Sequence, residues 1–198
     1  MQHSELSEPS GWIKAYLPLI SQNGRVLDLA CGAGRHSLLL AKAAYSVLAV
    51  DRDTHTLDLL KQSAQQARLM LETQVLDLET SQWPFSPSQD RQFDGIVVTN
   101  YLHRPIMPNL VKLLKEGGVL LYETFAHGNA EFGKPSNPNF LLQAGELLEF
   151  AQQNQLYVIA YQDGYTDTPK PARVQRLCAS LGIPKRGLKS PLPLQFAG

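Results

Sequence analysis

An α/β fold on a doubly wound, mostly parallel sheet is what this sequence predicts, and three observations predict it. Short apolar runs alternate with segments of helical periodicity along most of the chain. The run at 25–30 leads directly into a glycine-rich turn and a helical segment, as a strand–loop–helix unit requires. The composition, 43% apolar and 18% charged over 198 residues, suits one globular domain with its own core and argues against disorder.

The elements follow in order. Residues 12–20 read as an opening helix that stops near the turn Ser21-Gln22-Asn23-Gly24, so 1–24 form an N-terminal helix and cap. Residues 25–30 (RVLDLA) are a short buried strand, and the glycine loop 31–34 opens a helix running to about 44. A second strand, 46–50, ends at Asp51. Leu57, Leu60, Ala64 and Ala67 recur at helical spacing and predict a helix over 54–69. Strands are expected at 72–78 and 93–99. Met107, Leu110, Val111 and Leu114 mark a helix that Gly117 and Gly118 should stop. A strand at 119–125 leads into a long loop, 126–140, rich in Gly, Asn and Pro. A helix at 145–154 and strands at 156–161 and 172–179 close the domain, with an antiparallel terminal strand and helices on both faces. Residues 182–198 are a basic tail containing Pro and Gly.

The net charge of zero conceals an uneven distribution. All 18 acidic residues lie at or before Asp167, where 12 Lys and Arg leave a net charge of −6. The last 31 residues carry Lys170, Arg173, Arg176, Lys185, Arg186 and Lys189 and no acid. Such a segment either attracts an anionic substrate or RNA or, more often, forms a solvated strand edge and terminus. The longest apolar stretch, 38–50, is interrupted by Lys42 and is too short to span a bilayer. The first eleven residues lack the basic-then-apolar pattern of a secretory leader. Cys31 and Cys178 make neither a disulfide framework nor a zinc site. These features predict a reduced, cytoplasmic protein.

The most informative segment is VLDLACGAGRHSLLLA, 26–41. A strand, a tight glycine turn and a helix start place backbone N–H groups and a positive dipole end over a ligand. Gly32 and Gly34 allow close approach because neither has a Cβ. A dinucleotide fingerprint would need a third glycine where Ser37 stands. Asp28, within the strand, weighs against that reading, because a carboxylate there repels a pyrophosphate. A ligand bearing an ammonium or sulfonium would gain from it.

At these residues the sequence resembles the class I S-adenosylmethionine-dependent methyltransferases, a Rossmann-like family whose first motif is acidic-x-Gly-x-Gly-x-Gly. Here the motif is Asp28-Leu29-Ala30-Cys31-Gly32-Ala33-Gly34, with alanine at the first glycine. The resemblance implies that S-adenosylmethionine is the cofactor and S-adenosylhomocysteine the product. It implies that Asp28 holds the ligand's amino group, directly or through water, and that Ala30, Gly32 and Gly34 line the methionine and ribose. Asp51, 19 residues after Gly32, would accept the ribose hydroxyls, although an NAD enzyme has the same feature. Asp77 would accept from the adenine amino group, or else cap its own loop. Arg52, Leu78 and Asn100 complete the implied cofactor set. Cys31 reads as a packing residue, since no base stands ready to activate it.

The acceptor is expected beyond the carboxyl ends of the strands. Asn100-Tyr101-Leu102-His103 replaces the Asn-Pro-Pro-Tyr of methyltransferases acting on adenine or glutamine amino groups, and no cysteine follows the fourth or fifth strand to attack a pyrimidine. Direct in-line transfer remains, and the sulfonium leaving group requires no metal. His103 and Arg104 are the candidates for chemistry, as a proton acceptor and as a two-point anion holder. The competing structural reading has Arg104 paired with Glu123 and His103 capping the next helix. Tyr101, Glu123, His127 and Asn129 are candidate substrate contacts, and Tyr165 in the loop 163–171 a possible wall. Trp12 and Tyr16 either close over the cofactor or pack on the sheet. GRHS, NYLHRP and ETFAHGN resemble a bacterial branch of small methyltransferases of unassigned substrate, and Gly34-Arg35 and the overall size resemble, more distantly, the tellurite-resistance methyltransferases. A small-molecule acceptor is therefore expected. The competing classes are an RNA or protein methyltransferase docking through the basic tail, an NAD-dependent oxidoreductase and a non-catalytic cofactor-binding subunit.

Overall fold

The computed structural model describes residues 8–183, apart from 81, 87 and 89. Five parallel strands, β1 (Arg25–Leu29), β2 (Ser46–Asp51), β3 (Glu72–Val75), β4 (Phe93–Thr99) and β5 (Leu114–Phe125), form most of one sheet. The last two strands, β6 (Leu156–Thr166) and β7 (Ala172–Leu181), complete it, with β7 antiparallel to both β5 and β6. The order is β3-β2-β1-β4-β5-β7-β6. The chain therefore winds outward in both directions from the β1–β4 pair, and the crevice this reversal opens lies at the carboxyl ends of those two strands.

Strand alternation sorts the apolar side chains onto two faces. Val26, Val47, Val97, Leu121 and Cys178 meet α1 (Gly11–Tyr16) and α2 (Arg35–Lys42). Ala49 meets α3 (Thr54–Gln66) through Leu57 and Leu60. Leu27, Leu48, Ile96, Leu120 and Leu177 meet α4 (Met107–Leu113) and α5 (Glu146–Gln153). Most of these side chains are fully buried, each contributing about 1.5–3 kcal/mol relative to exposure. Trp12 belongs to the first face: it is buried, its indole N–H donates to the Leu177 carbonyl at 3.4 Å, and it stacks on Tyr16. The opening helix thus packs on the sheet. It is shorter than expected, passing into a 3₁₀ turn at Leu17–Leu19 where Pro18 intervenes.

Three boundaries differ from the sequence expectation. The helix before β5 stops at Leu113, and Gly117 and Gly118 sit instead in a bulge of β5, where pairing with β4 shifts from Phe93–Leu114 to Gly95–Val119. Asp94 anchors the bulge by accepting from Lys115 Nζ at 2.7 Å and the Arg25 backbone at 2.9 Å. Residues 163–166 are strand, paired as far as Thr166–Ala172, so the loop before β7 shrinks to 167–171. The solvated edge position of β6 lets it hold polar residues that read as loop. Conversely, β3 ends at Val75, which leaves Leu76, Asp77 and Leu78 to turn over the strand ends. Lys185, Arg186 and Lys189 of the basic tail lie outside the described residues. No helix among the described residues is long and apolar enough to cross a membrane.

Candidate active site

The glycine loop is built by its own geometry. Ala30 and Gly32 both have φ near +53°, and Gly34 has φ of 77°. A Cβ on Gly34 would lie 2.3 Å from Leu60 of α3, so only glycine allows α3 to close on the loop. A Cβ on Gly32 would meet nothing within 4 Å, which leaves that side of the loop open for a ligand. Ala30 holds a left-handed conformation that costs an alanine about 1–2 kcal/mol, at the position where the family motif has glycine. The backbone shape is thereby kept although the residue differs.

Asp28 faces α2 and is 1% exposed. Ser37 donates to its Oδ2 at 2.5 Å, while Oδ1 is buried without a partner. Ser37, the residue in the place of a third dinucleotide glycine, thus braces this carboxylate. Asp51 is held by two backbone donors, Gly32 N–H to Oδ2 at 2.8 Å and Asp53 N–H to Oδ1 at 3.0 Å. Each of its oxygens keeps a second lone pair for a ligand diol. Beside it lies a cavity of about 240 Å³ lined by Ala30, Asp51, Arg52, Asp77, Leu78 and Asn100, together with Leu76, Glu79 and Tyr101. Asp77 Oδ1 caps its own loop by accepting from Glu79 N–H at 2.9 Å, and the side chain also faces the cavity. The orphaned Asp28 oxygen, the open side of Gly32 and the pre-set Asp51 carboxylate fit a ligand with an ammonium and a ribose. Residues 26–118 match the family model described as a methyltransferase domain. The chain carries a methyltransferase domain over these residues.

Relatives agree with the methyltransferase domain. The chain is 30% identical over 134 residues to YqeM of Bacillus subtilis, provisionally named a methyltransferase, covering 62% of this chain and 50% of that one. Over 95 residues it is 30% identical to TehB of Haemophilus influenzae, provisionally named an S-adenosyl-L-methionine-dependent methyltransferase, covering 46% of this chain and 31% of TehB. The chain therefore spans half or less of the length of these relatives. The crystal structure of H. influenzae TehB superposes with a TM-score of 0.72 at 22% identity over 89% of this chain and 64% of that one, a likeness of fold.

On the acceptor side of the methyltransferase domain, several side chains have other work than the sequence suggested. Arg104 forms a two-point ion pair with Glu146, not Glu123, at 2.6 and 2.9 Å, and donates to the carbonyls of Asn139 and Leu141 at 2.9 Å. With four of its five N–H donors engaged it pins the loop before α5, which corrects its expected role as an anion holder. Asn129 is 2% exposed and staples the same loop, accepting from Arg173 N–H and donating to the Pro135 carbonyl. It is a structural residue, not a substrate contact. Tyr101 lines the cavity beside Asp51. His127 is exposed on the loop, with its backbone N–H bonded to Leu142. The His103 side chain caps nothing: it precedes the 3₁₀ turn Arg104–Ile106 half-buried, with no hydrogen bond to a described residue. Tyr165 stacks on Phe132 at 5.2 Å and is half exposed. Cys31 is unsuited to nucleophilic attack, since burial, with Asp28 and Asp51 nearby, pushes its thiol well up.

A buried polar row crosses the α1 face at the carboxyl ends of β4 and β5, and several of its members escaped the sequence reading. Ser10 N–H donates to His36 Nε2 at 3.0 Å, so the ring proton sits on Nδ1 and reaches Thr99 Oγ1 at 3.2 Å. Ser10 Oγ donates to Glu123 Oε2 at 2.7 Å, and Arg176 Nε donates to the same oxygen at 2.8 Å. Glu123, expected as a substrate contact, is thus largely occupied within the protein. One signal was available: His36 and Leu40 share the buried stripe of α2, so a polar side chain was due to find an internal partner.

His36 and Asp28 bias stability in opposite directions as pH changes. Burial lowers the His36 imidazole to about 3 and raises the Asp28 carboxyl to about 7. Between pH 4.5 and 6.5, the unfolded chain protonates histidine while the native chain does not, so acidification removes stability at about 1.4 kcal/mol per pH unit. Over the same range the native chain keeps the Asp28 proton that the unfolded chain loses, so acidification adds a similar amount. Urea unfolding should show Asp28→Asn losing stability relative to wild type on acidification and His36→Gln gaining it. Parallel profiles for the two variants would contradict this assignment.

Proposed function

We propose that the chain transfers a methyl group from S-adenosylmethionine to a small-molecule acceptor by direct in-line displacement. The observation that carries the acceptor class is the use made of the arginines beside the site. Arg104 is taken up by Glu146 and Arg176 by Glu123, so neither is free to guide a nucleic-acid backbone. The flanking loop is tied to the core by Arg104 and Asn129, which supports a defined acceptor space over an open docking groove. S-adenosylmethionine, when bound, supplies an activated methyl group on a positively charged sulfur that leaves neutral. Asp28 would neutralise the ligand's ammonium, and Asp51 would orient the ribose through two hydroxyls. Asp77, at the turn after β3, would accept from the base. His103 would take the proton that an oxygen or nitrogen acceptor loses as its methyl bond forms. Holding donor and acceptor in line is the larger part of the protein's contribution.

The test is incubation with radiolabelled methyl donor and host-cell extract, followed by separation of small molecules, RNA and protein. Label in the small-molecule fraction is the expected result. Label in RNA, with affinity falling steeply as salt rises, would replace this reading with one in which the basic tail docks a polyanion.

A further inference from the structure

Tyr101 lies two residues beyond the end of β4, and its backbone is held by Tyr122, whose hydroxyl donates to the Tyr101 carbonyl at 3.0 Å. Its ring packs against the same core as Leu76 and lines the 240 Å³ cavity together with Asp51, Asp77 and Glu79. The phenol oxygen is buried, yet no described residue bonds it. A buried hydroxyl without a partner costs about 1–3 kcal/mol, and an apolar ring would fill the wall without that cost. Arg52 and Glu79, which line the same cavity, form an exposed ion pair at 3.6 Å whose long arms can part at little cost. The acidic groups around the cavity are hydrogen-bond acceptors, suited to a nucleoside's hydroxyl and amino hydrogens. A nucleoside also presents ring nitrogens, which need a donor.

We infer that the Tyr101 hydroxyl is a cofactor contact, donating a hydrogen bond to the nucleoside bound in this cavity, an inference that rests on the methyltransferase reading above. Burial, with Glu79 close by, pushes the phenol upward and keeps its proton in place for donation. Tyr101 then belongs to cofactor recognition and not to the acceptor. It also distinguishes the nucleoside end of the ligand from the methionine end, which Asp28 serves.

The experiment compares wild type, Tyr101→Phe and Asp51→Ala by calorimetry with S-adenosylhomocysteine and by ligand-free thermal unfolding. Tyr101→Phe should bind about five- to tenfold more weakly, the equivalent of one hydrogen bond. Without ligand it should melt at or above the wild-type temperature, because it removes an unpaired buried polar atom. A residue with a purely structural role would lower the ligand-free melting temperature instead. Wild-type affinity in Tyr101→Phe, or a ligand-free melt several degrees lower, would overturn the inference. Wild-type affinity in Tyr101→Phe beside lost binding in Asp51→Ala would overturn it while leaving the methyltransferase reading intact. Absence of S-adenosylhomocysteine binding to wild type would overturn both.

Discussion

Replacing His103 with alanine is expected to slow methyl transfer by about 10²–10⁴-fold while leaving cofactor affinity unchanged. His103 stands four residues beyond the end of β4, half-buried, and its imidazole has no hydrogen bond to a described residue. A histidine that served the fold would have a partner, as His36 has two. An acceptor oxygen or nitrogen must shed a proton as it gains the methyl group, and an imidazole three residues after Asn100 is a group able to take it. The measurement is single-turnover transfer to the acceptor fraction identified by labelling, alongside calorimetry for S-adenosylhomocysteine. Full activity in His103→Ala with an oxygen or nitrogen acceptor would end the general-base assignment. Full activity with a thiolate or metalloid acceptor is the outcome expected if the acceptor arrives already ionised.

The second large effect concerns cofactor binding and pH. Burial raises the Asp28 carboxyl to about 7, and its Oδ1 has no partner among the described residues. The ligand's ammonium favours the ionised form, so below pH 7 binding must first expel a proton. Affinity for S-adenosylmethionine should therefore fall with a slope approaching tenfold per pH unit, about 50-fold from pH 7 to pH 5. Calorimetry in buffers of different ionisation enthalpy would register the released proton directly. Asp28→Asn should bind weakly at every pH and lose the dependence. A flat wild-type affinity between pH 5 and 7 would sink the assignment of Asp28 to the ammonium.

Much of the cofactor half was legible because its information is local. Asp28, Ala30, Gly32 and Gly34 lie within seven residues, and the left-handed turn they form is set by their own backbones. Asp51 ends the second strand and Asp77 follows the third, and parallel strands of similar length bring such positions to one end of the sheet. The acceptor half was less legible. The sequence offered Arg104 the partner Glu123, but packing gave it Glu146, because the loop at the 3₁₀ turn Pro138–Phe140 is tied to Arg104 through the Asn139 and Leu141 carbonyls and brings the start of α5 beside it. Glu123 in turn went to Ser10 and Arg176.

The sequence by itself determined the α/β class, the position and hand of the glycine loop, the acids at successive strand ends and the residues that could take part in chemistry. Periodicity, turn chemistry and spacing act over a few residues, and their physical cause is the local geometry of strand, turn and helix. Tertiary structure alone decided which polar groups are committed to the fold and which remain for a ligand. Arg104 and Glu146 are 42 residues apart, Glu123 and Arg176 are 53 apart, and Ser10 reaches His36 across 26. Any of these groups had several possible partners along the chain. Burial makes an unpaired charge or hydroxyl costly, so the packed sheet and its helices settled the pairings and left Asp28 Oδ1 and the Tyr101 hydroxyl without partners among the described residues.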